Sequence, residues 1–195
     1  MIHFLTNTYQ MIDPLFGQSP RPVELDLGCG KGRFTLDLAE RYPERLVLGA
    51  DIMAGRLRKV SRKAEKRQLE NLELLRALNL DLVALLLPPD SIDRAHLLCP
   101  DPWPKDKHRN KRLVTTYFLA KVADRLKPDG VLHLATDHKP YYEDWTRIIA
   151  ELPFFENAPD AIADVADIKT DFELLWHSEG KQVQHLAYRC RKERL

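Results

Sequence analysis

Asp26-Leu27-Gly28-Cys29-Gly30-Lys31-Gly32 places an acid before three alternating glycines. A loop of this composition lets a ligand approach the main chain at dihedrals that a β-carbon would hinder. A dinucleotide fingerprint needs one more glycine, at the position held here by Arg33. The G-x-G-x-G spacing instead favours an adenosine-type ligand with no pyrophosphate seated on a helix N-terminus. Asp51 follows Asp26 by 25 residues and offers two carboxylate oxygens to the two hydroxyls of a ribose. A second group with chemical potential is Cys99-Pro100-Asp101-Pro102-Trp103-Pro104-Lys105. Its three prolines fix φ at alternate positions, so the loop presents an acid, an indole and an ammonium from a stiff frame.

These groups need a scaffold, and the sequence alternates strand-like with helix-like segments. Val23–Leu27 reads as a strand ending in the glycines, Arg33–Tyr42 as an amphipathic helix, Leu46–Ala50 as a strand ending at Asp51, and Ala54–Leu69 as a basic helix. Leu72–Leu75 is a third strand, Asp81–Leu87 a short helix closed by Pro88-Pro89, and Ile92–Cys99 a fourth strand leading into the proline loop. Leu113–Leu126 is a helix stopped by the turn signal Lys127-Pro128-Asp129-Gly130. Val131–Thr136, Tyr141–Glu151 and Gln184–Cys190 read as strand, helix and last strand, and Ala158–Lys169 as a surface loop or short helix. Such alternation predicts right-handed βαβ units: an α/β fold with a mostly parallel sheet and helices on both faces. With no repeat or linker, the 195 residues are expected to form a single domain in which 1–22 are a short N-terminal segment.

Composition narrows the function class. The chain is 44% hydrophobic and 30% charged, which excludes a disordered chain, and no apolar run is long enough to span a bilayer. The first residues lack the layout of a secretion signal, and the odd trio Cys29, Cys99 and Cys190 has no metal-type spacing; reduced thiols, a cytoplasmic location and no metal are the expectation. Net charge is only +1, yet cations cluster locally. Arg56, Arg58, Lys59, Arg62, Lys63, Lys66 and Arg67 read equally as a solvated helix face or a phosphate-attracting patch. Lys105, Lys107, His108, Arg109, Lys111 and Arg112 follow the proline loop, where Arg109, Lys111 and Arg112 are expected to meet phosphate backbones.

The same residues carry a resemblance. The chain resembles the bacterial tRNA (guanine-N7)-methyltransferases that act on guanine-46 of the variable region. The likeness rests on Asp26–Gly32, on Cys99–Arg112 with its Pro-Asp-Pro-Trp-Pro-Lys and His-Arg-Asn-Lys-Arg, on Ala135-Thr136-Asp137, and on Thr170-Asp171-Phe172-Glu173. The resemblance implies a class I S-adenosylmethionine-dependent methyltransferase (Rossmann-like) fold with a seven-stranded sheet, S-adenosylmethionine as cofactor, and tRNA as partner to a monomer or homodimer. Residue by residue, it implies cofactor contacts from Asp26, Gly28, Gly30, Asp51 and Leu98. It makes Asp101 the acid at the active centre, Lys105 a substrate contact, and Asp137, Thr170 and Glu173 the holders of the target guanine. Where the family contacts the adenine, alignment puts Leu78 with Asn79 next, and Asn79 is taken for that contact. Cys99 stands where Phe is common, Asp171 where a basic residue is frequent, and Asn110 for a frequent lysine; the family's basic N-terminal extension is nearly absent.

Guanine N7 has a lone pair and no proton to lose, so its methylation needs in-line placement more than a strong base. The base becomes cationic, and a carboxylate nearby stabilises that charge. Asp101 is therefore expected to position the base rather than abstract a proton. Read from the residues alone, Asp137 fits a helix N-cap as well, Glu173 a solvated acid, and Trp103 either a stacking or a packing role. Two other functions remain open at this level: a methyltransferase of the same fold acting on a small molecule or protein, and a non-catalytic RNA-binding relative.

Overall fold

The computed structural model describes residues 1–4, 20–103 and 105–194, with the side chains of Phe4, Asp106, Arg109, Asn110 and Arg194 excluded. Eight strands build one sheet: β1 (Ile2–Phe4), β2 (Val23–Leu27), β3 (Leu46–Ala50), β4 (Leu72–Arg76), β5 (Ile92–Leu98), β6 (Leu126–Thr136), β7 (Phe155–Asn157) and β8 (Gln184–Cys190). Their order is β1-β4-β3-β2-β5-β6-β8-β7. Every pairing from β1 to β6 is parallel, and β6–β8 and β8–β7 are antiparallel. β2 and β3 are buried along their whole length, as strands covered on both faces must be.

Helices cover both faces. On one side, α1 (Arg33–Arg41) and α2 (Ala54–Lys66) bury Phe34, Leu38, Leu57 and Val60 with Ile162 and Val165 from the 3-10 turn Pro159–Val165. On the other, α3 (Asn79–Asp81) runs into a π-helical turn, Leu82–Leu86, which packs with α4 (Thr116–Arg125) and α5 (Lys139–Ala150) through Leu82, Phe118, Val122, Tyr141 and Trp145. A last helix, α6 (Asp171–Ser178), follows the acidic 3-10 segment. No helix among the described residues is long and apolar enough to cross a membrane.

Sequence and structure differ at three places. The sheet has eight strands rather than seven, because the N-terminal segment contributes an edge strand, Ile2–Phe4, in register with Leu74–Arg76, and Phe155–Asn157 forms a short opposite edge. Three-residue edge strands carry too little alternation to be read from sequence. Lys127-Pro128-Asp129-Gly130 is not a turn between elements but lies inside β6. The four residues are absorbed as an irregularity, with the register to β5 shifting between Ile92 and Arg94 and Asp129 at φ +61°. Finally, α4 starts at Thr116 rather than Leu113, where the Thr115 hydroxyl accepts from the Phe118 N–H.

The chain runs from β2 to β3 and β4 on one side and returns to β5 on the other side of β2, so the sheet has its topological switch beside the glycine loop. A crevice at the strands' carboxyl ends is the consequence. Close packing there depends on Gly32, which sits at φ +79° as the residue before α1, where a β-carbon would come 2.5 Å from Val60. Gly32→Ala is expected to cost about 2–4 kcal/mol, combining left-handed strain with overpacking. Val60→Ala in the same chain should restore the packing part, as read by denaturant unfolding of the single and double variants.

Candidate active site

Two backbone groups set the geometry of the crevice. The Gly28 and Cys29 N–H groups both donate to the Ala50 carbonyl, each at 2.8 Å, and so tie the end of β2 to the end of β3. Asp26 and Asp51 are thereby fixed beside one another, both buried. The Thr35 hydroxyl on α1 donates to Asp26 at 2.5 Å. Burial raises the Asp26 carboxyl to about 6, with the Thr35 bond opposing the rise and the Asp51 charge adding to it. Asp51 accepts from the N–H groups of Met53 (2.7 Å) and Gly30 (3.2 Å) and pairs with Arg56 at 3.3 Å.

A cleft of about 580 Å³ opens over these residues, within the range of small-molecule sites. Its floor is the glycine loop with Asp26 and Asp51; one wall is Leu78 and Asn79, and the other is Leu98, Cys99, Pro100, Asp101, Trp103 and Lys111. Thr170, Asp171, Phe172 and Leu175 close it from α6. Gly28, at φ +84°, has the Asn79 amide 3.5 Å from where its β-carbon would be, so the main chain is bare toward the cavity. The proline loop is held between two residues in the left-handed region, Cys99 at φ +55° and Trp103 at φ +41°. Strain of this kind persists only where the surroundings impose it.

Of the residues expected from sequence, Asp26, Gly28, Gly30, Asp51, Asn79, Leu98, Asp101, Thr170 and Lys111 all line this one cleft. Asp101 is exposed at its rim. Lys111 stands over the Trp103 ring, 4.7 Å from its centroid, and His108 meets the same indole edge-on at 5.6 Å, so Trp103 packs against the basic segment as it faces the cleft. Lys105 is exposed outside the cleft, and the side chain of Arg109 lies outside the described residues.

Three expectations change. Arg112, expected to meet phosphate, is half-buried and engaged within the protein: it pairs with Asp144 on α5 at 2.5 Å, donates to the Pro102 carbonyl at 3.1 Å and reaches Trp103's carbonyl at 3.5 Å. It clamps the proline loop. Glu173 does not face the cleft either. It is fully buried, bonded to the Thr170 N–H at 2.8 Å and to His185 at 3.0 Å, and its own N–H returns to the Thr170 hydroxyl, a reciprocal cap at the start of α6. Asp137 is half-buried and does not line the cleft, and the N-cap of α5 is its neighbour His138. Burial pushes the Cys99 thiol up to about 12, and the charges of Glu173 and Asp137 push the same way.

Sequence reasoning missed Arg56, whose partner Asp51 is five residues earlier, and the apolar lining from Phe172 and Leu175. Phe172 stacks on Trp176 at 5.5 Å, a helical i, i+4 pair that α6 periodicity contained. In the basic patch on α2, Arg56, Lys63 and Arg67 have protein partners, and Arg58, Lys59, Arg62 and Lys66 stay exposed.

A family model described as "Putative methyltransferase" matches residues 20–186. The tRNA (guanine-N(7)-)-methyltransferase of Neisseria meningitidis is 31% identical over 174 residues, 89% of this chain and 72% of that protein. The chain belongs to the bacterial tRNA (guanine-N7)-methyltransferase family. The family member from Chromohalobacter salexigens is 34% identical over 90% of this chain and 72% of its own length, and that from Polaromonas naphthalenivorans 32% identical over 84% and 66%. The chain therefore spans about two thirds of some of its relatives. Among solved structures, the 16S rRNA methyltransferase KamB superposes with a TM-score of 0.65 at 22% identity, covering 87% of this chain and 88% of that one. This likeness assigns the fold, an α/β methyltransferase fold. Among the described residues, no cluster of three or more His, Cys, Asp or Glu side chains is arranged for a metal.

The clamp makes a prediction that a phosphate-binding role would not. Arg112→Ala should destabilise the folded chain by about 1–3 kcal/mol, because it removes the shorter of the two arginine contacts to the half-buried Asp144, leaving Arg147 at 3.3 Å, and frees the Pro102 and Trp103 carbonyls from their donor. Arg112→Lys should recover little, since a single ammonium cannot serve the carboxylate and two carbonyls together; thermal and denaturant unfolding of both variants measure this.

Proposed function

We propose that this chain transfers a methyl group from S-adenosylmethionine to N7 of a guanine in tRNA, at position 46 of the variable region. The observation that carries the proposal is the single cleft in which the glycine floor, Asp51 and the rim acid Asp101 face one cavity. A cytoplasmic location follows from that substrate.

The cleft fits the cofactor in kind as well as size. Gly28 leaves bare main chain toward the cavity, Asp51 stands where a ribose needs acceptors, and Asn79 faces it across the floor. Asp26 is the acid for the amino-acid end, and Leu98 the apolar wall. When bound, S-adenosylmethionine supplies an electrophilic methyl on a sulfonium. The chain's own part is placement. The strained loop presents Asp101 to the guanine that becomes cationic as N7 is alkylated, and a carboxylate there stabilises the charge without taking a proton. Thr170 and Phe172 close the opposite side with a hydroxyl and a ring, and Glu173 serves the site through the cap that fixes Thr170, with Asp137 off the cleft lining. Lys105 and Lys111 extend the site toward RNA phosphates. A guanine engaged in tertiary pairing must turn out of the RNA to enter, so local opening of the tRNA accompanies binding.

Asp101→Ala is expected to lower methyl transfer by about 10²-fold or more with S-adenosylmethionine binding unchanged. Borohydride and aniline treatment should produce a new cleavage of the product tRNA at guanine-46, since a guanine there becomes scissile only once N7 is methylated; labelled tRNA without that new cleavage would reject N7, and an unlabelled pool would reject the substrate class. The raised Asp26 carboxyl gives a pH test. An ammonium group needs the ionised acid, so cofactor affinity should fall as pH drops below about 6, approaching tenfold per pH unit. Calorimetry across that range should find the dependence absent in Asp26→Asn.

A further inference from the structure

Beneath the site, five ionisable groups form an unbroken line of hydrogen bonds. Glu24 on β2 bonds His96 Nε2 on β5 at 2.8 Å, and His96 Nδ1 meets His133 Nδ1 on β6 at 3.0 Å. His133 Nε2 meets His185 Nδ1 on β8 at 2.9 Å, and His185 Nε2 meets Glu173 at 3.0 Å. Glu24, His96, His133 and Glu173 are almost completely inaccessible to water, and only His185 retains 25% exposure. The line ends at the Thr170–Glu173 cap, whose Thr170 lines the cleft.

A proton count distinguishes this chain from ordinary core polar contacts. Four contacts need four protons, yet three neutral imidazoles carry one N–H each, and two carboxylates carry none. With the rings neutral, one contact must place a lone pair against a lone pair. With one further proton all four are satisfied, whichever ring holds it, since each ring then donates outward from the cation. We propose that the three histidines share one excess proton between Glu24 and Glu173, and that this proton holds the Thr170–Glu173 cap against the cleft, making His185 a positioning residue.

The groups facing the line define where the proton resides. Arg94 and Arg45 pair with Glu24 at one end, Arg94 also pairing with Asp164, and Lys169 lies 3.6 Å from Glu173 at the other. Asp26 adds its field to His96, Asp137 lies near Cys99 beside Glu173, and the Phe34 ring fills the angle between His96 and His133. Both terminal carboxyls are held below the usual carboxylate range, Glu24 at about 2 where His96 and Arg94 overcome its burial, Glu173 by His185 and the Thr170 N–H against its own. Neither keeps the proton, so it lies on a ring. Burial holds His133 well below the usual imidazole range, and of the three rings it is His96 and His185 that lie directly against a carboxylate. Deprotonation breaks one link, and the partly exposed His185–Glu173 contact is the one that can open. The sign is set: the cap is intact with the proton bound and loosens as pH rises.

Two measurements on the full chain test this. Long-range ¹H–¹⁵N spectra of ¹⁵N-histidine-labelled protein between about pH 5 and 9 should find one imidazolium lost in a single step that moves all three rings with a common midpoint. Three neutral rings throughout, or three independent midpoints, would overturn the proposal. The second arm rests on the tRNA reading above. In the wild type, KM for tRNA should rise about three- to tenfold across that midpoint, the worth of one hydrogen bond. His185→Gln, whose amide donates to Glu173 at any pH, should keep the low-pH KM and abolish the dependence, whereas His185→Ala should have the high-pH KM throughout. A His185→Gln profile that still follows the wild type would refute the positioning role. A wild type that never methylates tRNA would reject the proposed function instead, and the spectra would still decide the proton.

Discussion

Two amide groups converging on one carbonyl, Gly28 and Cys29 on Ala50, are the contact from which the site is built. Bringing the ends of β2 and β3 onto a shared acceptor forces the chain to turn at once, which only glycine dihedrals permit here. It also sets two carboxylates next to each other in a buried place. Like charges so arranged resist joint ionisation, and the crevice responds by pairing Asp51 with Arg56 and two N–H groups and leaving Asp26 with a hydroxyl and a raised pKa. An acid in that state favours a cation at its side. The floor is therefore electrostatically incomplete in a way that suits a positively charged cofactor.

Around this floor the protein uses polar groups in two distinct ways. Arg112 and the reciprocal Thr170–Glu173 cap are internal fasteners: one stiffens the proline loop against α5, the other fixes the start of α6. The walls of the cleft are thus held by charged or polar bonds rather than by apolar packing alone. Such bonds are directional, and they fix where Asp101 and Thr170 face to a tolerance that hydrophobic contact would not provide. The buried histidines extend this frame through the sheet, from β2 to β8, so that groups far apart in sequence share one hydrogen-bonded system.

Much of this was legible in the residue string. The strands Val23–Leu27, Leu46–Ala50 and Gln184–Cys190 have the bounds that their apolar runs and flanking residues predict. The parallel order, the crevice beside the glycine loop, and the gathering of Asp26, Asp51 and Asp101 follow from local spacing joined to the handedness of βαβ units, whereas Asn79 and Thr170 were reached only through the family resemblance. Lys127-Pro128-Asp129-Gly130 misled because turn chemistry is local, whereas the strand through it is held by pairing with β5.

What the sequence by itself determined is which residues have the chemistry and at which strand ends they lie, because periodicity and backbone freedom act over a few residues. Only the tertiary structure decided what each charge faces. Arg112 and Arg109 look alike in a basic run, yet Asp144 from another helix captures Arg112. Glu173 reads as a surface acid until β8 brings His185 against it. The reason is physical: a charge takes its role from the partner and the dielectric around it, and both come from segments remote in the chain.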